Sequence, residues 1–184
     1  MKTTQIILEH LIAGIQMLIW LLLFICAVTG TAWLDYALLL ESQTAVLAVA
    51  VAFVYPMGIL IDNLADQLLR KPERHIRASI PGAEQSMSRL LYLLKDDNMT
   101  ESFDYLRMRI RITRSAFLNG CFLTLAAWCY TGSQLQASPM WGRLMALEGV
   151  LGLLLIGLSY YSWRLLTQSV CRKVAKRYQE LSST

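Results

Sequence analysis

Only two histidines, His10 and His75, occur in the 184 residues, far apart in the chain. Neither has a cysteine or a paired acid beside it at ligand spacing, so no metal site is expected. There is no HExxH, no GxSxG and no phosphate-cradling glycine loop. Ser88 and Tyr92 have no activating base, so no catalytic constellation is visible and no cofactor is implied. The four cysteines, Cys26, Cys121, Cys129 and Cys171, form no CxxC. Three of them lie in apolar runs, where buried, inert thiols are expected, with a Cys26–Cys129 link left open. Charge is also scarce, at 16% of residues, and four long stretches have almost none.

What fills those stretches is apolar. Hydrophobic residues make up 55% of the chain, an excess that points to a membrane protein rather than to a soluble domain. Segments 11–34, 42–61, 115–136 and 144–163 each approach the ~20 residues needed to cross ~30 Å of hydrocarbon. Glu148 is the one acid among them. The gaps within the first pair and within the last pair are short, which predicts two antiparallel helical hairpins. Of the 17 basic residues, 16 fall on one side of this arrangement, with Arg143 alone in an outer loop. Both termini and the central segment are therefore expected to face the cytoplasm. Glu9 and His10 ahead of a long apolar run argue against a cleaved signal.

The chain is organised around 42–77. From Ser42 to Ile61 there is no charge. Asp62, Asp66 and Arg70 then follow at i, i+4 and i+8, with Leu60, Leu64 and Leu68 on another face. The membrane boundary is accordingly expected at Ile61–Asp62, followed by an amphipathic extension that ends near Lys71, because Pro72 disfavours helix before it. Pro56 predicts a kink, either static or a hinge. A short helix over 83–95 is expected, with Met87, Leu90, Leu91 and Leu94 as its stripe. Thr100 or Ser102 would cap the next helix. The run YLRMRIRI at 105–112 alternates like a strand, but it has no visible partner and leads unbroken into the third span, so it is read as helix. The fourth helix continues past Trp163 to about 180, since Leu166, Val170, Val174 and Tyr178 recur at i+4. Trp33 and Tyr36 at one level, and Tyr160, Tyr161 and Trp163 at the other, suit membrane interfaces. The expected fold is an all-α membrane protein of four transmembrane helices, with a small cytoplasmic helical cap. It divides into a first hairpin (1–61), a cytoplasmic segment (62–114), a second hairpin (115–163) and a helical tail (164–184).

Several residues are candidates for function. Asp62, Asp66 and Arg70 on the second helix and Arg107, Arg111 and Arg114 on the third would pair between helices, as a lock or as a switch. Glu148 lies about one turn from the outer surface, either reaching the interface or lining a pore or sensing site. Ala48 and Ala52, and Gly149 and Gly152, have small-residue spacings that suit close helix contact, within the chain or between copies. The central segment mixes ten bases with eight acids. That mixture suggests a protein partner and not a nucleic-acid track.

With its extension IDNLADQLLR and its segment YLRMRIRITRSAFLN, the chain resembles small four-span bacterial inner-membrane proteins of anti-phage defence cassettes, such as the Kiwa membrane subunit. The resemblance lies in size and plan and carries over no residue. It implies a protein that senses envelope disturbance and holds a soluble effector, or itself forms a pore. The expected function is a non-enzymatic, homo-oligomeric membrane sensor and scaffold for a cytoplasmic protein. The rivals are a pore that depolarises the membrane and an immunity protein against a toxin.

Overall fold

The computed structural model describes residues 2–32, 43–80 and 97–182. Four α-helices account for nearly all of them: α1 (Lys2–Thr29), α2 (Gln43–Ala78), α3 (Asp97–Gln134) and α4 (Trp141–Ser182). The expected helix over 83–95, and Trp33 and Tyr36, lie outside the described residues.

The ends of the helices have local causes. α1 stops at Gly30, whose φ of 76° is open to glycine at little cost. Its N–H bonds the Cys26 carbonyl at 3.0 Å, closing the helix several residues before the expected end of the span. α2 does not stop near Lys71 but runs through both Pro56 and Pro72 to Ala78. Pro72 removes the donor that would serve the Leu68 carbonyl. Tertiary packing outweighs that loss, because Leu69 and Ile76, either side of the proline, are buried against Trp163. Glu73 and Arg77 pair across the same turn, and the Ser79 hydroxyl closes the helix on the Ile76 carbonyl at 2.7 Å. α3 starts at Asp97, so Thr100 and Ser102 lie within the helix and not at its expected start. The 105–112 run is helical, and Arg109 sits 5.9 Å from the centre of the Tyr105 ring.

α3 is the centre of the assembly. It packs against α1, α2 and α4, whereas α1 and α4 do not meet among the described residues. A short turn over 135–140 returns the chain into α4, which runs antiparallel to α3 from Thr131–Glu148 at one end to Phe117–Tyr160 at the other. Two apolar clusters hold the bundle. Ala13, Ile61, Ala65 and Leu118 join α1, α2 and α3. Leu69, Ile76 and Trp163, with Ile110 and Phe117, join α2, α3 and α4. Trp163 is fully buried. It is a core residue and not the interface aromatic that its place in the sequence suggested.

The backbones of α1 and α2 approach closely. A Cβ on Gly14 would overlap the Val54 carbonyl, and one on Gly58 would overlap the His10 carbonyl. These glycines let two backbones touch. Ala48 and Ala52 are exposed.

Three helices carry stretches long and apolar enough to cross a membrane: Ile7–Thr29, Ala48–Ala78 and Trp141–Lys176. The apolar part of α3 is not among them. Its Asn119, Thr124 and Thr131 face neighbouring helices and lower its hydropathy.

Candidate functional site

At one end of the bundle, charged side chains from three helices converge. Arg114 of α3 is the hub, with its side chain 9% exposed. One guanidinium nitrogen donates to Asp62 Oδ1 at 2.9 Å, and the other donates to Asp66 Oδ1. The spacing makes this possible: Asp62 and Asp66 stand one turn apart on α2, so both reach one side chain on the helix opposite. The Ser115 hydroxyl donates to the same Asp62 oxygen at 3.2 Å. Asp62 is 16% exposed and Asp66 59%, so one acid is enclosed and the other lies at the rim. An enclosed ion pair is less screened by salt, and losing Arg114 leaves the enclosed Asp62 charge uncompensated.

α1 enters through Glu9, which is 8% exposed and lies 3.9 Å from the Arg111 guanidinium. Between the three helices is a cleft with space for about one water molecule. Glu9, His10, Asp62, Arg111 and Ser115 form its polar wall, and Ala13 and Ile112 its apolar wall. Two turns further along α3, Asn119 uses its whole amide. It donates to the Ala13 carbonyl at 3.0 Å and to Gln16 Oε1 at 3.2 Å, and accepts from Trp20 Nε1 at 3.0 Å.

Thus the structure brings Asp62, Asp66 and Arg114 together and turns Arg111 to Glu9. Arg70 and Arg107 stay exposed, outside this network. Glu148, at the far end, is half-buried against α3 and accepts from the Thr131 hydroxyl at 2.6 Å. Gly149 and Gly152 beside it serve contact within the chain: a Cβ at Gly149 would meet the Trp128 ring at 3.0 Å, and one at Gly152 would overlap Thr124. Pro56 is exposed within a continuous α2. The four thiols are free.

Sequence reading missed Glu9, Asn119, Gly14 and Gly58. A signal for two of them existed. Glu9, Ala13, Gln16 and Trp20 recur at i, i+4, i+7 and i+11 on α1, and Arg111, Ser115 and Asn119 at i, i+4 and i+8 on α3. Each series marks one helix face that carries polar side chains, and the two faces meet.

No protein-family model matches the chain, and neither does any curated protein or solved structure. Among the described residues no group of three or more histidine, cysteine or acidic side chains is arranged to hold a metal ion.

Proposed function

We propose that the chain is a non-enzymatic, homo-oligomeric inner-membrane protein that senses the state of the membrane and serves as a scaffold for a cytoplasmic protein partner. Its four helices cross the bilayer as two hairpins, with α3 as the enclosed fourth span. Apolar side chains face outward from Ile7 to Val28 on α1, from Val49 to Leu68 on α2 and from Leu147 to Leu165 on α4. At ~1.5 Å per residue, each covers roughly 30 Å, the thickness of the hydrocarbon. The bias of the basic residues supports cytoplasmic termini. A role in anti-phage defence is proposed on the resemblance of plan alone.

The observation that carries the reading is an asymmetry in α2. Its charged end is enclosed and tied to α3. At its other end, Thr44, Ala48, Val49, Val51, Ala52 and Phe53 are all exposed, with Ala50 half-buried. That end includes the Ala48–Ala52 small-residue pair, and a second copy of α2 suits it. One continuous helix then links an interface in the outer leaflet to the cytoplasmic turn around Leu69 and Ile76. The test is the mass of the full chain in lipid nanodiscs, with ion flux through proteoliposomes in parallel. A discrete oligomer in ion-tight liposomes supports a sensor-scaffold. A monomer overturns the oligomeric reading, and sustained flux lost in Glu148→Gln would replace it with the pore.

A further inference from the structure

Glu9 is the one acid of the charged cluster without a good partner. Its side chain is 8% exposed, and Oε2 is buried with no hydrogen-bond donor. The Arg111 guanidinium stands 3.9 Å away, beyond hydrogen-bond reach, and its own side chain is 47% exposed. The neighbouring hydroxyl and terminal guanidinium nitrogens are turned elsewhere: Arg114 gives its two terminal nitrogens to Asp62 and Asp66, and Ser115 gives its hydroxyl to Asp62. On the outward side of the same turns of α1 lie Ile7, Leu8 and Ile12, all exposed. A carboxylate with a buried oxygen that meets no donor is costly to keep charged, and a proton removes that charge.

The geometry points to a proton-binding site in the cleft between α1, α2 and α3, with Glu9 the group that gains and loses the proton. The groups facing it are His10 on its own helix, Asp62 on α2, and Arg111 and Ser115 on α3, with Asp66 and Arg114 behind Asp62. Glu9, Asp62 and Asp66 outnumber Arg111 and Arg114 by one, and one proton corrects that imbalance. Loss of the proton creates a carboxylate that draws the Arg111 side chain in from its exposed position. Protonation is thereby coupled to the packing of α1 on α3. This goes beyond the sensor-scaffold reading and does not depend on it.

The test is infrared difference spectroscopy of the full chain in lipid nanodiscs, titrated from pH 5 to 9. A carbonyl band from a protonated carboxylic acid is expected to disappear as pH rises. It is expected to be absent in Glu9→Gln and kept in Asp66→Asn. Arg111→Gln removes a positive neighbour of the carboxylate, so its band is expected to persist about one pH unit higher, a roughly tenfold gain in proton affinity. A band unchanged in Glu9→Gln, or no such band at any pH in the range, overturns the proposal. So does an Arg111→Gln midpoint that stays in place. A melting temperature that rises with sodium but not with choline at fixed pH and ionic strength, and is lost in Glu9→Gln, would assign the cleft to a metal cation instead.

Discussion

The two ends of the bundle are built from the same four helices but held by different chemistry. At the charged end, Arg114 is fixed by two carboxylates of α2, Arg111 approaches Glu9 of α1, and Trp163 of α4 fills the space between Leu69 and Ile76. All four helices take part. At the far end the ties are uncharged or single. Thr131 donates to Glu148, the Trp128 indole donates to the Met145 carbonyl at 3.2 Å, and Ser133 donates to the Ala27 carbonyl at 2.9 Å. These join α3 to α4 and to α1, and the far end of α2 is left exposed. Charge and aromatic burial tie α2 in at one end, while at the other its side chains from Val49 to Phe53 are largely exposed. Where lipid surrounds a bundle, hydrophobicity alone does not drive helix to helix, so such polar and close-packed contacts decide which end is rigid.

The difference can be broken at its strongest point. Arg114→Ala leaves Asp62 enclosed without a counter-charge, and a loss of about 3–5 kcal/mol is expected. Unfolding in mixed micelles measures it, and a loss under ~1 kcal/mol would show that the pair does not hold the charged end. Asp66→Asn is a control of opposite kind: that carboxylate is 59% exposed, so at most ~1 kcal/mol is expected once screening is allowed for. Next in size is the α1–α2 contact. Gly58→Ala and Gly14→Ala place a methyl into a carbonyl of the facing backbone, and about 1–3 kcal/mol is expected for each. Gly157→Ala, with nothing within 4 Å of its Cβ, is expected to be harmless in the same assay. Asn119→Leu removes three hydrogen bonds between α1 and α3. A loss of about 1 kcal/mol is expected, seen as a lowered unfolding midpoint. The smallest effect belongs to the far end, where Glu148→Gln keeps an acceptor for Thr131. A change within ~0.5 kcal/mol is expected, and a larger one would give the far end more weight than its contacts suggest.

Which parts of this were legible in the sequence follows from range. Helix content and the apolar stretches are properties of contiguous residues, so α1, α2 and α4 read directly from runs without charge. The strand-like alternation at 105–112 was resolved by its continuity with the apolar run after it. Helix ends were read less well. A single Gly30 in the left-handed region stops α1 early, whereas Pro72 fails to stop α2 because Leu69 and Ile76 gain more from Trp163 than the lost hydrogen bond costs. Asp62 and Asp66 showed their shared face through the i, i+4 spacing. Nothing local said that Arg114, and not Arg107 or Arg111, would meet them, since that depends on how far α3 slides along α2. Glu9 and Asn119 were hidden for the same reason, each being polar in a helix whose partner stripe lies about a hundred residues away. The glycine contacts show the limit of spacing rules. Ala48 and Ala52 have a close-packing spacing yet are exposed, while Gly14 and Gly58 lack an obvious repeat and carry a backbone-to-backbone contact.

Site-directed disulfide trapping in native membranes tests the asymmetry of α2 most directly. In a chain freed of its four cysteines, Ala52→Cys at the exposed end is compared with Ala65→Cys at the enclosed end. A cross-linked dimer with the first and none with the second is expected, because Ala52 is exposed and Ala65 is fully buried against α1 and α3. A dimer through Ala65→Cys, or none through Ala52→Cys or Ala48→Cys, would contradict a rigid charged end and a far end of α2 that meets a second copy.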